Sequence, residues 1–592
     1  MLPYGCISDS VIATLDPSYY PPALTGLRGS HIGSNTHAHD RAWNNKTNWG
    51  NTTKLKKIYD LVVVGGGISG LSAAYFYQRK YGKDKKILIL DNHDDFGGHA
   101  KRNEHTINGK KLLTYGGSQT LVEPLHAGKL IHELFNDIGI DLERFKTAYD
   151  TNFFKRNNLG SVTYFNKEVF GEDKIVKHPY CNYPNYVEGL LGGKLSHEEA
   201  AAQAPLSEIG KKQLFNVLNG GIHLIDVPKE ELNNYTNTTS YFDYLKNTLK
   251  VDDPVVLRMA RHSGLDWGST GTDLMSIAEA KGCGALGFKP VKVYDENNPY
   301  IHHFPDGNAT VARALVKKMI PDIAKGNNAE ELVLSKFKYD ELDKSRNATR
   351  IRLNSTVVNV KHLGQPINSS EVAVTYINNN KSYQVKAKSV VMACYNMMVP
   401  HLVPSLPFNQ SQALKLQLKT PLQYTTVGLK NWKAFKELEI GLAMSPGNMH
   451  QAVLMDFPVS LGGYKYTDSP DKPCVIQMIS CPYGETIGAP KAEQFREARY
   501  KMLSLGFEDY ENEIRNHLSG MLPKEFFDFD KDVKSISVNR WAHGYANGGP
   551  GDSVKVGRQP FGRITIANSD SAPSADAIVA IKMAHRAVNE LG

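Results

Sequence analysis

Up to about residue 57 the polar and apolar positions follow no period, and Tyr, Pro, Gly, His and Asn dominate, so this stretch predicts an irregular arm. The pattern then changes. Ile58-Tyr-Asp-Leu-Val-Val-Val64 is a short, β-branched apolar run of the kind buried on both faces of a sheet. Leu71 to Tyr81 has the Ala, Leu and aromatic content of a helix packed on that sheet, and Lys86-Ile-Leu-Ile-Leu90 reads as a second buried strand. Together they predict a βαβ unit. Further on, Arg352–Val360, Glu371–Tyr376 and Tyr383–Ala393 predict three strands. At the end of the chain Gly562–Asn568 predicts a strand, Ser569-Asp570-Ser571 a polar turn, and Ala575–Leu591 a closing helix. The chain shows no internal repeat and no long low-complexity linker.

Composition narrows the class. The 592 residues are 41% hydrophobic and 22% charged, enough apolar material for a large core and too little charge for a disordered chain. The net charge of +8 is spread without a dominant basic block, so nucleic-acid binding gains no support. The six cysteines form no Cys-x-x-Cys pair, which implies neither a zinc ribbon nor a disulfide framework. No run approaches the roughly 18 apolar residues of a membrane helix. The start, MLPYGCISDS, lacks a basic region followed by an apolar stretch.

The chemistry begins between the first predicted strand and helix. Gly65, Gly67 and Gly70 form G-x-G-x-x-G there, where a turn must be tight, a pyrophosphate must approach the backbone, and the helix must pack closely on the strand. Asp91 follows 21 positions after Gly70 at a strand terminus, where a carboxylate can accept both hydroxyl protons of an adenosine ribose. The pattern predicts a bound dinucleotide; a glycine-rich turn without a ligand is the bland alternative. Gly97 and Gly98 lie just beyond Asp91, and Gly116, Gly117 and Ser118 somewhat later, as candidates for a second contact or as ordinary turns.

An acidic strand end followed by a Gly-Gly loop resembles the flavoproteins of the amine-oxidase superfamily. In those proteins an Arg-bearing loop runs under the pyrophosphate; here His99 replaces that Arg, and Arg102 is the nearest guanidinium. The resemblance grows closer with Tyr19-Tyr-Pro-Pro-Ala-Leu-Thr-Gly-Leu-Arg-Gly-Ser-His31, Asp95-Phe-Gly-Gly-His-Ala-Lys-Arg-Asn103, Phe304-Pro-Asp-Gly-Asn-Ala309, Ala393-Cys-Tyr-Asn-Met-Met398 and Gly557-Arg-Gln-Pro-Phe-Gly562 through Ala567-Asn-Ser-Asp570. These segments look like bacterial spermidine dehydrogenases, from about residue 17 to the end.

The resemblance implies an α/β fold with a FAD-binding Rossmann-type domain, discontinuous in sequence, and a second mixed α+β substrate domain. The arm would span 1–57, the cofactor domain 58–120, 305–400 and 535–592, and the substrate domain 121–304 and 401–534. Asp570 would bind ribityl hydroxyls, with a helix N-terminal cap as its alternative. The backbone near Val358 would reach the adenine. Trp541 and Tyr545 would line the flavin ring, Trp541 serving otherwise as interface core. Lys419 would hold a water against flavin N5, unless it is a surface lysine. These three are the candidate catalytic residues.

Amine oxidation also needs an acidic anchor for a distant ammonium and aromatic walls that exclude water. Asp266, Trp267 and Asp273 combine those chemistries, although both carboxylates read equally as caps or turn residues. The resemblance further implies a haem. Without Cys-x-x-Cys-His it would be non-covalent haem b, with His31 and His39 as iron-ligand candidates. The expected activity is dehydrogenation of a polyamine, spermidine first, with electrons passing to an external acceptor. Another FAD oxidoreductase, such as a carotenoid desaturase relative, and a non-catalytic binder like the GDP-dissociation inhibitors share the fold and stand as alternatives. Family members are exported to the periplasm by a twin-arginine leader; this chain shows none, so the expectation is periplasmic if a leader was removed and cytoplasmic otherwise.

Overall fold

The computed structural model describes residues 15–181, 186–220, 225–264, 270–288 and 299–591. Its strands, numbered along the chain, form three sheets. The first holds β2 (Thr52–Val64), β3 (Ile87–Leu90), β8 (Thr349–Arg352), β9 (Ser355–His362), β10 (Val372–Asn378) and β11 (Lys381–Met392) in the order β8-β3-β2-β11-β10-β9, and β17 (Ile564–Ile566) also pairs with β11. The second holds β1 (Gly26–Gly29), β6 (Gly160–Phe165), β7 (Lys174–Val176), β12 (Lys419–Leu429), β13 (Ile440–Met444), β14 (Ala452–Met455), β15 (Cys474–Ser480) and β16 (Val533–Ala546) in the order β1-β16-β12-β15-β14-β13-β6-β7. A hairpin of β4 (Arg102–Ile107) and β5 (Lys110–Tyr115) is the third.

The apolar runs dictate the first sheet. Every residue of β3 is buried, and β2 is buried over its last four. Strands with no polar face need cover on both sides, which is the environment of a parallel sheet. Accordingly β8, β3, β2 and the end of β11 run parallel, while β9, β10 and β11 make an antiparallel meander. Helices Ile68–Tyr81, Ala309–Met319 and Ala577–Asn589 pack against one another beside it.

β11 joins the two ends of the chain. Its last three residues pair with Val62–Val64 on one edge and with Ile564–Ile566 on the other, both parallel. The Ser69 hydroxyl, at the second residue of the helix Ile68–Tyr81, donates to the Ala567 carbonyl at 2.7 Å. The glycines make that approach possible. Gly65 sits at φ +111°, and a Cβ on Gly70 would lie 1.9 Å from the Gly65 carbonyl oxygen, so the helix cannot start this close to the strand with any side chain there.

Three expectations need correction. The stretch Arg352–Val360 is two strands, because Asn354 turns left-handed at φ 52° and its amide donates to His93 O at 2.9 Å. The arm is not irregular throughout: β1 pairs in parallel with β16, from Gly26 opposite Ser537 to Gly29 opposite Arg540, and Thr36–Ala42 is helical. Residues 535–546, assigned above to the cofactor domain, lie within β16 of the second sheet, pairing with β12. In both the arm and β16, partners hundreds of positions away decide the structure.

Gly70→Ala is expected to lower unfolding free energy by about 3 kcal/mol or more, since the added methyl forces strand and helix apart. Denaturant unfolding followed by circular dichroism measures it, and a loss under 1 kcal/mol, to order of magnitude, contradicts the close-packing account.

Candidate functional site

A cavity of about 1060 Å³ opens where the two large sheets meet. It is lined by the first turn (Gly65, Gly67), by the end of β3 (Asp91), by the loop Gly97–Ala100, by β12 and β16, and by the tail (Asn568–Asp570, Ala575–Ala577). This volume lies at the upper limit of the roughly 300–1000 Å³ typical for a drug-sized ligand.

At one end the backbone builds an anion cradle. The helix Ile68–Tyr81 starts from Gly67 with no side-chain cap, so its first amides are free for a ligand and carry the positive end of the dipole. A Cβ on Gly67 would meet nothing closer than 3.8 Å, which leaves its face open to the cavity. The loop beneath is clamped to this turn: the Gly97 amide donates to Gly66 O at 2.8 Å, and a Cβ on Gly98 would lie 3.1 Å from the Gly67 Cα. Asp91 holds both segments, accepting from the Gly66 amide at 2.6 Å and the His93 amide at 2.8 Å. Burial pushes its carboxyl pKa up, against those two amides. Ser355, Thr356 and Val357 complete this wall.

At the other end β12 and β16 present side chains across their antiparallel pairing. Thr420 stands opposite Tyr545 and Leu422 opposite Trp541, with a register shift between Thr420 and Leu422. The Trp541 indole N–H donates to Gly116 O at 2.6 Å, and its ring meets the His99 ring edge-on at 4.8 Å. A Cβ on Gly117 would come within 2.8 Å of the Trp541 Nε1, so that glycine is the space the indole occupies. Trp541 is thus both buried core and cavity wall, and Tyr545, Tyr424, Tyr395, Tyr186 and Tyr300 extend the aromatic lining. Ser118 also lines the cavity, its hydroxyl accepting from Asn308 at 2.8 Å.

Lys419 and Asp570 close the floor as one unit. The Lys419 ammonium is 2.5 Å from Asp570 Oδ1, with side chains 2% and 4% exposed, and it stands 5.4 Å over the Tyr395 ring. The second Asp570 oxygen accepts from the Asn396 amide at 3.0 Å. Lys419 is therefore no surface lysine, and Asp570 is no helix cap: the closing helix, Ala577–Asn589, is capped by Asp576, which accepts from the Ile578 amide at 2.6 Å. Among the described residues lining the cavity, Lys419 is the only Lys or Arg. The histidines add no charge, because burial pushes His93 and His99 down to about 3 and His543 well below its ordinary value.

Other candidates are not brought to the cavity. Arg102 points into the hairpin base, donating to Glu104 and Asp306 at 2.7 Å each and to Val333 O at 2.8 Å, so its guanidinium has no donor turned to a phosphate site. Val358 is replaced by its neighbour Val357, since the Val358 carbonyl accepts from Arg41 at 3.2 Å. Asp273 is a structural clamp, bonded to Arg261 at 2.8 Å, the Gly488 amide at 2.9 Å and Gln494 at 2.7 Å. Asp266 and Trp267 lie outside the described residues.

The candidate histidines give a haem no support. His31 uses both ring nitrogens within the protein, Nδ1 facing Ile32 O at 3.1 Å and Nε2 accepting from the Asp94 amide at 3.3 Å, which leaves none for iron. His39 stacks on Trp43 at 3.9 Å and lines the same cavity as the glycine turn. Two lining carboxylates have no place in the sequence reading: Asp576, at the start of the closing helix, and Glu279, exposed at the rim far along the chain from the glycine motif. Its Ser276-x-x-Glu279 spacing is a capping box, formed here with the Ser276 amide donating at 2.8 Å, and that local role conceals any other.

Among known proteins, the family profile described as an NAD(P)-binding Rossmann-like domain matches residues 63–136. No curated protein matches the chain by sequence. Of solved structures, a double mutant of putrescine oxidase from a structure-based redesign of cofactor binding is 17% identical, covers 91% of this chain and 99% of its own, and has a TM-score of 0.51. A single mutant of the same enzyme is 16% identical with the same coverage and a TM-score of 0.50. Cyclohexylamine oxidase from Brevibacterium oxydans IH-35A is 13% identical, covers 90% of this chain and 99% of its own, and has a TM-score of 0.49. At these identities the likeness is one of fold: a discontinuous Rossmann-type domain with a second α+β domain, in the amine-oxidase arrangement.

Lys419→Met is expected to destabilise the protein by about 3–5 kcal/mol, because it leaves the buried Asp570 carboxylate without a cation. Adding Asp570→Asn should recover part of the loss. A denaturation double-mutant cycle reads the coupling, and strictly additive losses would show that the pair does not act as one unit.

Proposed function

We propose that this chain is a FAD-dependent amine dehydrogenase or oxidase acting on a polyamine, with spermidine as the first substrate to test. One observation carries the reading: the anion cradle at Gly65–Gly70 and the aromatic chamber of Trp541, Tyr545 and Tyr424 are two ends of one cavity, with the Lys419–Asp570 pair on its floor. The solved structures of like fold, those of putrescine oxidase, support an amine as substrate.

When bound, the flavin supplies a two-electron acceptor for the hydride leaving the carbon beside the amine nitrogen. The carbon–nitrogen bond becomes an imine, which water hydrolyses to an aminoaldehyde and a diamine, and the electrons pass on to an external acceptor. The chain's own residues prepare this. Gly65, Gly67 and the helix amides take the pyrophosphate, and Asp91 takes the ribose hydroxyls with the lone pairs that Gly66 and His93 leave free. Asp570, already held by Lys419 and Asn396, offers carboxylate oxygen to ribityl hydroxyls. The aromatic walls exclude water, which favours the neutral amine, and their π faces hold the ammonium groups that remain charged. Lys419, paired with Asp570 on the cavity floor, would hold a water and pass a proton at the reacting end. Glu279, the lining carboxylate exposed at the cavity rim, anchors the distant ammonium.

Anaerobic addition of spermidine to the purified protein is expected to bleach a flavin absorbance; a colourless protein, or a flavin that stays oxidised with every polyamine tried, rejects the reading. Glu279→Gln is expected to raise KM for spermidine about tenfold with kcat nearly unchanged, and to leave a monoamine unaffected. Equal effects on both substrates would remove Glu279 as the anchor.

A further inference from the structure

Behind the cavity, on the opposite face of β12, three side chains converge. Glu513 and His517 stand one turn apart on the helix Phe507–Met521, and His450 comes from the loop between β13 and β14. His450 Nδ1 is 2.6 Å from Glu513 Oε2, and His517 Nδ1 is 3.8 Å from Glu513 Oε1. Both imidazoles are fully buried. One ligand atom from each residue falls within 4.8 Å of the others.

The partners of the remaining atoms orient this group. His450 Nε2 lies 2.9 Å from Thr425 Oγ1 and 3.0 Å from Gln423 Nε2, and His517 Nε2 lies 3.0 Å from Ser445 Oγ. Glu513 Oε1 also accepts from the Met449 amide at 3.2 Å. The backs of both rings are therefore engaged and their Nδ1 atoms turned to one carboxylate. A proton between His450 and Glu513 satisfies that pair alone. His517 Nδ1 is then left buried with no hydrogen-bond partner, a condition that costs about 1–3 kcal/mol.

We propose that His450 Nδ1, Glu513 and His517 Nδ1 bind a divalent zinc-type ion. Two imidazoles and a carboxylate are a ligand set that such an ion takes, and the far ring N–H groups of such ligands donate to outer-shell acceptors, here Thr425 Oγ1 and Ser445 Oγ. Around zinc at about 2.0 Å from each ligand, neighbouring ligand atoms stand about 3.3 Å apart. The His450 contact to Oε2 at 2.6 Å and the His517 contact to Oε1 at 3.8 Å lie on either side of that spacing, and the three ligand atoms, all within 4.8 Å of one another, draw together by side-chain movement to complete the site. On binding, the proton between His450 Nδ1 and Glu513 passes to His450 Nε2, where Thr425 Oγ1 at 2.9 Å accepts it. Glu513, 17% exposed, is the side from which water supplies a fourth ligand.

The ion ties the helix Phe507–Met521 to β12 through Thr425, and so braces the strand that carries Lys419 on its cavity side. Elemental analysis of the tag-free full chain, after dialysis against metal-free buffer with a weak chelator, is expected to give about one zinc per chain. Glu513→Gln keeps the acceptor for the Met449 amide and is expected to lose the zinc while retaining the wild-type circular dichroism. Wild-type protein without metal, whose melting temperature does not move on adding zinc sulfate, overturns the proposal, as does zinc retained by E513Q. Should E513Q not fold, zinc-edge X-ray absorption of the wild type decides: imidazole and oxygen scatterers support the site, and sulfur ligation overturns it.

Discussion

The end of β11 has a neighbour on each edge, and the rest of the site follows from those two pairings. Val62–Val64 and Ile564–Ile566 flank the same three residues, in parallel. Adjacent strands lie about 4.8 Å apart, so this register fixes the glycine turn after Val64 and the tail after Ile566 about 10 Å from each other, both at the carboxyl ends of their strands. In an open parallel sheet that edge is where ligands bind. The Ser69 hydroxyl on Ala567 O then locks the first helix to the tail. No long-range folding device is needed beyond ladder hydrogen bonds, because register alone brings together residues nearly five hundred positions apart.

Charge inside the cavity follows from burial. Lys419 and Asp570 neutralise each other, and the lining histidines His93, His99 and His543 are kept neutral by desolvation. What remains unpaired by a cation along the wall is acidic: Asp91 beside the turn, Asp576 at the closing helix, and Glu279 at the rim. Among the described residues no guanidinium lines the cavity, so an anion held there would depend on backbone amides and helix dipole, and a cation would meet a field of favourable sign. Under the proposed function the pyrophosphate strengthens that field, which suits a polyamine better than a neutral or acidic substrate.

The legible parts of the sequence were those whose requirement is local. Gly65, Gly67, Gly70 and Asp91 could be assigned because a tight turn, an open backbone face and a carboxylate at a strand end are needed within thirty residues of one another. Arg102, Val358 and Asp273 were chosen for the right chemistry in the right neighbourhood, yet each is held by a partner far away: Asp306, Arg41, and the Gly488 segment with Gln494. Composition cannot reveal such partners. The strand in the arm was hidden for the same reason, since Gly26–Gly29 has no strand pattern of its own and exists by pairing with β16. Asp576 and Asp570, six positions apart in a polar turn, offered no basis in sequence for deciding which caps the helix.

β12 connects the two halves of this chemistry through the simplest property of a strand, that successive side chains point to opposite faces. Leu422 and Tyr424 face the cavity, whereas Gln423 and Thr425 face His450. The register shift at residues 420–422 turns Lys419 to the cavity side at the strand's beginning, so its ammonium reaches Asp570 rather than the far face. A rigid grip on Thr425 therefore sets the position of Lys419 through six residues of fully buried backbone, with no side-chain contact between the two sites. That geometry makes the stiffness of one strand, and not proximity, the means by which a group behind the sheet governs the precision of the cavity in front of it.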